Sequence, residues 1–496
     1  MNIIRFISAF LAILLAFCLA VDSMPAPSAN KTLTGSPERT YIIGYYMSGN
    51  HDKFFSNLRL DLLTNIMFAF AIPEEDGSIT LSEQDTSKLD SLVKEAAKSD
   101  TSALGKGKPV RVSLSVGGWT HSKHIPKMIA SSASRSNFVR NAVDFAVKHN
   151  VDLDIDFEWP AGVPGECDSP KGVDRTRDTE NFLLLLRELR KALDAATGTG
   201  ENRKLLSLAV ATRPFVDREK KPLKDMTEFA QVVDFVQLMA YDLGEGQASV
   251  VANAPLKVEG DDRQEGNISS VSQAVKSWVD AKFPANQIVL GVPFYGKAIK
   301  IEDTGSKSDR SSSGGGSNKR VFGVEDFKKN GLPAKHNGAH PQGDKDDNRV
   351  PSNGIWKYCN LFEQNLLKAE SEFRSTSASD DWKIYWDGNT STPWLANEKD
   401  GIMITYDDPA SINAKVELAK KNKLAGLMAW ELTYDTKEHQ LLTVMNRFLP
   451  KQMPEGMEDV GISLEMDKTS DASGVHSASL LTVIWTTGIA TLILLF

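Results

Sequence analysis

The chain has 496 residues, long enough for one large domain with an insertion or for about two to three smaller domains. Its 57 Lys plus Arg stand against 65 Asp plus Glu, a net charge of −8. That balance gives no electrostatic footprint for nucleic acid or acidic lipid, and it suits a neutral substrate.

Residues 1–20 read as a cleavable secretory leader, because Arg5 precedes an apolar run from Phe6 to Ala20 with small residues at Cys18 and Ala20. Residues 21–38, rich in Pro, Ser, Ala and Thr, read as a linker with no core of their own. N-x-S/T sites at Asn30, Asn267 and Asn389 agree with export. Cys18 leaves with the leader. Cys167 and Cys359 remain, and an oxidising compartment permits a disulfide between them without requiring one.

Apolar, β-favouring runs then recur at Tyr41–Tyr46, Asn65–Ile72, Val110–Val116, Val151–Glu158, Leu205–Ala211, Val233–Tyr241, Gln287–Pro293 and Leu424–Trp430. Between them lie segments of helical spacing near Thr86–Lys98, Ser134–His149, Asn181–Ala195, Val271–Phe283 and Ala410–Lys421. In Asn181–Ala195 the residues Phe182, Leu185, Leu186, Leu189 and Leu193 form one apolar stripe, and Asp408-Pro409 is a helix-start signal. Buried strands alternating with helices imply parallel pairing, so the expected fold is α/β, an eight-stranded (β/α)8 barrel over 39–297 and 402–450. The rival, an open doubly wound sheet, lacks a Gly-rich phosphate loop after the first strand.

Between Pro293 and Leu424 the chain is far longer than a strand-helix unit needs, so residues 298–401 are expected to form a small α+β insertion. Strand or helix character appears at Val321–Phe327, Ile355–Leu366, Trp382–Trp386 and Ile402–Tyr406, with a Ser/Gly-rich stretch at Ser306–Asn318. Residues 451–472 read as a polar linker. Residues 473–496 end in an apolar tail, Ala478–Phe496, with no basic residue after it. Small residues at Ser470-Asp471-Ala472 and Ser473-Gly474 before that tail fit a signal for a glycosylphosphatidylinositol anchor. A tail of about twenty apolar residues would also span a bilayer, so a transmembrane tail stays open. The expectation is a secreted monomer at the cell surface or wall, with the tail as its candidate membrane attachment.

The stretch Val151–Pro160 carries the chemistry. Asp152, Asp154, Asp156 and Glu158 occupy alternate positions and should share one face of a strand, opposite Val151, Leu153, Ile155 and Phe157. Crowded, part-buried carboxylates raise one another's pKa. An edge strand with one solvated acidic face, or a loop holding a metal ion, would also give this pattern. In a barrel, chemistry sits at the C-terminal rim, which puts Glu158 against a ligand, Asp156 behind it, and Asp154 deeper, sharing a proton with Asp156. Other strand ends supply Ser113, Ser115, Gly117, Gly118 and Trp119, then Met239, Tyr241 and Asp242, and last Trp430, whose indole suits a sugar ring. Ordinary core packing is the alternative for Trp430.

These residues resemble those of chitinases of glycoside hydrolase family 18. Asp154, Asp156 and Glu158 match the last three members of its Asp-x-x-Asp-x-Asp-x-Glu motif; Ser115, Gly117 and Gly118 match Ser-x-Gly-Gly; Met239, Tyr241 and Asp242 match Met-x-Tyr-Asp. Trp430 matches the last-strand Trp. The similarity runs from about Tyr41 to Pro450 and includes Gly291-Val-Pro-Phe-Tyr-Gly296 before the insertion. Four positions depart: Val151 stands at the first Asp, Asp152 at the usual Gly, and Phe157 and Trp159 where Trp and Tyr are common, which keeps the aromatic character. Asp152, if it points inward, is expected to replace the missing carboxylate in part through a small bulge.

The resemblance implies retaining hydrolysis of β-1,4-linked N-acetylglucosamine, in chitin or its oligosaccharides, by substrate assistance and without a cofactor. Glu158 is implied as acid and base, Asp156 and Tyr241 as partners of the substrate acetamido group, and Asp154 as support. Trp430 is the implied floor, and Met239 and Asp242 are implied as further substrate-binding residues. Tyr45 (or Tyr46), Phe70, Trp119, Trp159 and Trp394 are candidate stacking residues. Alternatives are a chitin-binding lectin, disfavoured by Glu158, an endo-β-N-acetylglucosaminidase acting on N-glycans, and a metal-dependent hydrolase, disfavoured because no paired His accompanies the acids.

Overall fold

The computed structural model describes residues 40–48, 58–99, 108–162, 173–200, 203–243, 252–258, 268–300, 354–371, 374–377, 380–397 and 401–449. The expected leader, linkers and tail, together with Asn30, Asn267, Cys167, Ser306–Asn318 and Val321–Phe327, lie outside these residues.

In chain order the strands are β1 (Tyr41–Met47), β2 (Asn65–Pro73), β3 (Ile79–Thr80), β4 (Arg111–Gly117), β5 (Asp152–Asp156), β6 (Leu206–Val210), β7 (Phe235–Leu238) and β8 (Ile288–Pro293). A second group follows: β9 (Tyr295–Lys300), β10 (Ile355–Lys357), β11 (Leu367–Ser371), β12 (Arg374–Ser377), β13 (Lys383–Asp387), β14 (Thr392–Asn397) and β15 (Ile402–Thr405). Then β16 (Gly426–Trp430) returns to the first group. Around the barrel the order is β1, β2, β4, β5, β6, β7, β8 and β16, all parallel, with β16 closing on β1. The short β3 folds back antiparallel on the end of β2. Each expected β run is therefore a barrel strand.

The helices are α1 (Glu83–Ala96), α2 (Ile125–Ala130), α3 (Ser132–Lys148), α4 (Asp178–Thr197), α5 (Thr227–Ala230), α6 (Val271–Asp280), α7 (Tyr358–Glu363), α8 (Pro409–Lys421) and α9 (Gln440–Met445). Their starts are written in the sequence. Ser82, Ser131 and Ser270 accept the N–H three residues on at the heads of α1, α3 and α6. At α8, Asp408 and Ser411 cap one another reciprocally and Pro409 opens the helix.

Strand alternation separates two cores. Outward residues such as Ile42, Ile66, Leu114, Leu153 and Leu206 pack under the helices, including the buried α4 stripe Phe182, Leu185, Leu186, Leu189 and Leu193. Each such side chain stabilises by about 1.5–3 kcal/mol when fully buried. Inward residues Tyr41, Ile43, Tyr45, Met67, Phe235, Val289 and Met428 fill the barrel itself. Met239, Tyr241, Phe70 and Trp430 lie on top of this inner core and are only partly buried.

The insertion is an antiparallel sheet in the order β10, β9, β15, β14, β13, with β11 and β12 as a separate hairpin. Its joins differ from the expected 298 and 401, because Tyr295–Lys300 and Ile402–Thr405 pair with each other as strands of the small sheet. β8 runs into β9 across Phe294 alone, so apolar strand character continues through the join and hides it in the sequence.

Candidate active site

The site lies at the C-terminal ends of the barrel strands, and it begins with an anchored acid. Asp154 is fully buried on β5 and accepts four hydrogen bonds. Tyr45 Oη and Ser115 Oγ donate to Oδ2 at 2.7 and 2.8 Å, while Ser207 Oγ and Gln237 Nε2 donate to Oδ1 at 2.7 and 2.9 Å. Burial pushes the Asp154 carboxyl above the usual carboxylate range, and the four donors oppose that push. Because every donor needs a lone pair, this arrangement fits the ionised form. Asp154 is thus held by β1, β4, β6 and β7 together.

Asp156, one layer higher, is also buried, but among the described residues its Oδ1 has no hydrogen-bond partner. Burial, then the charges of Glu158 and Asp154, push its carboxyl well above the usual range. The shared-proton hydrogen bond expected between Asp154 and Asp156 is absent, since the Asp154 oxygens are taken up by hydroxyl and amide donors. The two acids interact through charge alone.

Glu158 follows the end of β5 and is partly exposed. The expected strand Val151–Glu158 stops at Asp156, so strict alternation does not carry Glu158. Its backbone N–H instead donates to Ser122 Oγ at 2.9 Å, and Ser122 Oγ donates to the Asp156 carbonyl at 3.1 Å. The following turn is tied by Arg175, which donates to the Trp159 carbonyl at 2.6 Å and pairs with Asp178 at 2.5 Å. Asp178 in turn accepts the Ala161 N–H at 3.0 Å.

The glycine pair after Ser115 has a steric cause. A Cβ on Gly117 would stand 2.1 Å from the Asp156 carbonyl oxygen, and one on Gly118 would stand 2.8 Å from the Phe70 ring. Both adopt positive φ, and Gly118 N–H donates to the Asp156 carbonyl at 2.9 Å. The β4 end can therefore close against β5 and beneath Phe70.

Tyr241 and Asp242 follow β7. Burial first, then the charges of Asp242, Asp156 and Glu158, push the Tyr241 phenol well above its ordinary value, so it stays a proton donor. Asp242 receives the Tyr295 hydroxyl at 2.5 Å and pairs with Lys297 at 2.7 Å, both from the insertion strand β9. Trp430 stacks near Phe70, with centroids 5.8 Å apart and planes 23° apart, and tilts over Tyr45 at 5.3 Å. The peptides Ala69–Phe70, Glu158–Trp159 and Trp430–Glu431 are cis.

The sequence pattern of glycosyl hydrolases family 18 matches residues 41–435. The chain belongs to that family. It is 30% identical over 410 residues, covering 80% of this chain and 84% of the relative, to a "chitinase-like effector" of Moniliophthora perniciosa. Chitinase A1 of Niallia circulans is 28% identical, over 69% of this chain and 42% of its own length. Among solved structures, a chitinase from Rhizomucor miehei superposes with a TM-score of 0.64 at 29% identity, covering 82% of this chain and 99% of that one.

Within this family-18 barrel, four of the named candidates sit elsewhere than expected. Trp394 is fully buried in the core of the small sheet with Ala252, Ala396 and Met403, and offers no face to a sugar. Tyr45 is 1% exposed, with its hydroxyl on Asp154, so it positions an acid and cannot stack on a ligand. Tyr46 is buried on the outer side against Phe68. Asp152 points inward near the opposite end of the barrel, where Arg111 grips it with two hydrogen bonds at 2.7 and 2.5 Å and Leu205 N–H adds a third at 2.9 Å. Ser113, Ser115 and Gly117 pair with Asp152, Asp154 and Asp156 in unbroken register. The expected bulge is absent, and Asp152 does not replace the missing carboxylate.

Phe70, Met239, Tyr241, Trp430, Glu158 and Trp159 are partly exposed at the rim, and Trp119 is 47% exposed. Sequence reading missed Ser122, Ser207, Gln237 and Arg175. For Ser207 and Gln237 a signal existed: each is a lone polar residue at an inward position of an apolar strand, which calls for a buried partner. Nothing local to Ser122 or Arg175 marks them.

Proposed function

We propose that the chain is a chitinase that cleaves β-1,4 linkages between N-acetylglucosamine units with retention. The observation that carries this reading is the buried Asp156 carboxyl, with Oδ1 lacking a partner, beside the charge of Glu158 and near the Tyr241 phenol. A carboxyl left unsatisfied at a ligand-facing rim suits an amide N–H that arrives with substrate.

In this scheme the proton that the coupled Asp156 and Glu158 carboxyls retain between them sits on Glu158, which gives it to the glycosidic oxygen as the bond to the anomeric carbon breaks. The oxygen of the substrate's own acetamido group forms the new bond to that carbon, giving an oxazolinium ion. Asp156 accepts the acetamido N–H and its charge balances the ring cation; Tyr241 donates to the acetamido oxygen. Water then attacks the anomeric carbon, passes its proton to Glu158, and opens the ring. Two inversions leave the configuration retained. Trp430, backed by Phe70, forms the floor under the reacting sugar.

A second reading, binding of N-acetylglucosamine oligomers without cleavage, is favoured by the name of the Moniliophthora relative. Incubation with a defined oligomer series separates the two. Products with retained anomeric configuration are expected, and Glu158→Gln is expected to lose at least ~10²–10⁴ in rate while still binding. Absence of products with binding intact would select the second reading. We also propose export and attachment at the cell surface, on the strength of the apolar segments Phe6–Ala20 and Ala478–Phe496.

A further inference from the structure

We propose that Asn389 carries an N-linked glycan whose first N-acetylglucosamine packs on the exposed face of Trp386. The inference rests on the export reading above. It concerns the β13–β14 hairpin of the insertion, whose last strand pair is Asp387 with Thr392. Gly388, Asn389, Thr390 and Ser391 form the tip.

The tip is fixed from within. Asp387 accepts the Asn389 backbone N–H at 3.0 Å and the Thr390 hydroxyl at 2.7 Å, and Thr390 and Thr392 share a hydrogen bond of 2.7 Å. Thr390 is nearly buried as a result. Asn389 is exposed, and among the described residues its carboxamide makes no hydrogen bond. Asn389-Thr390-Ser391 supplies the hydroxyl two residues on that glycan transfer requires. In that transfer the Asn389 amide nitrogen displaces a lipid diphosphate from the anomeric carbon of a lipid-linked oligosaccharide and gives up one proton.

The second observation is Trp386, three residues before Asn389. It is 47% exposed and, among the described residues, makes no ring contact. Ile384 and Trp386 share one face of β13 by alternation, yet of the two only Ile384 packs on the main core, as does Trp382 just before the strand. The outermost indole, next to the tip, is left uncovered. A large apolar ring held beside a glycan attachment point covers itself by stacking on the apolar face of the first sugar, which also restrains the hairpin.

The test uses the full chain, secreted from a eukaryotic host, with wild-type, N389Q, W386A and doubly substituted forms. Peptide mapping after enzymatic deglycosylation in heavy-oxygen water should mark Asn389 as occupied in wild type and in W386A. Thermal unfolding should show N389Q lowering Tm by about 1 °C in the wild-type background and not in the W386A background. In a bacterial host without glycan transfer, N389Q should leave Tm unchanged. An unmodified Asn389 on a chain modified at Asn267 overturns the proposal and leaves export standing. A chain retained in the cell with no site modified overturns both. Equal Tm losses in the two backgrounds overturn the role of Trp386.

Discussion

Ser122 holds Glu158 by the backbone: its Oγ takes the Glu158 N–H at 2.9 Å and gives its own proton to the Asp156 carbonyl at 3.1 Å. One hydroxyl therefore fixes the step from the last strand residue to the proposed acid. Ser122→Ala leaves a part-buried N–H without that acceptor, a cost of about 1–3 kcal/mol. The expected outcome is kcat reduced by roughly 10- to 100-fold through misplacement of Glu158, with KM little changed, since small displacements of reacting groups are costly in rate. Steady-state kinetics on an N-acetylglucosamine oligomer reads this, and an unchanged kcat would remove Ser122 from the positioning of the acid.

Asp152→Asn separates stability from chemistry. The substitution weakens the paired grip of Arg111 on a 2%-exposed carboxylate far from the rim. Loss of about 1.5–3 kcal/mol of stability is expected, the usual range for hydrogen bonds to charged groups. Rate constants should remain at wild-type values. A large fall in kcat with the fold intact would return Asp152 to the part of the missing motif carboxylate.

Asp435 gives a pH signature. Burial outweighs the N–H groups of Thr436, Leu441 and Leu442 that it accepts, and raises its carboxyl to about 7. Unfolded, the group titrates near 3.9. Between about pH 4 and 7 the folded state keeps a proton that the unfolded state has released, so this group's contribution to stability falls as pH rises through that window. Asp435→Asn removes the linkage. The Tm advantage of wild type over the variant should therefore be larger at pH 4.5 than at pH 7.5; a difference independent of pH, or of opposite slope, would contradict the assignment.

Lys415→Met tests a buried ion pair. Lys415 and Asp407 are 0% and 1% exposed and bonded to each other, with Ser411 donating to the same Asp407 oxygen at 2.7 Å. Removing the cation strands a buried carboxylate between α8 and the end of β15, at a cost of about 3–5 kcal/mol. Denaturant unfolding should show a large drop in midpoint. Asp407→Asn combined with Lys415→Met should recover part of it, because no lone charge remains.

Period and spacing made the barrel legible: each apolar run became a strand because inward and outward faces both bury apolar side chains, and the helix starts at Asp408-Pro409 follow local capping chemistry. Of the candidate site, sequence reading brought Asp154, Asp156, Tyr241 and Trp430 to one end of the barrel, and the strands carry them there. The site was not legible where residues distant in sequence decide a contact. Tyr45 reads as a rim aromatic until its hydroxyl is seen on Asp154, 109 positions away. Trp394 reads as a sugar platform because composition does not tell the core of a small sheet from a cleft wall. Asp152 and Asp154 look equivalent by period; Arg111 and the ring of hydroxyls make one a structural pin and the other a support for the acids.

The pairing of β9 with β15 has a consequence for how the protein can vary. The insertion leaves the barrel through β9 and comes back through β15, and these two strands lie side by side. The ends of the excursion are therefore clamped together, whatever the number of residues between Lys300 and Ile355. Closing a longer excursion costs only about 0.6 kcal/mol for each doubling of its length. A change in the length of that segment therefore need not disturb the barrel register, while Tyr295 and Lys297 on the clamped strand keep their hold on Asp242. Change in the length of that segment and the hold of β9 on Asp242 thus fall on separate stretches of one chain.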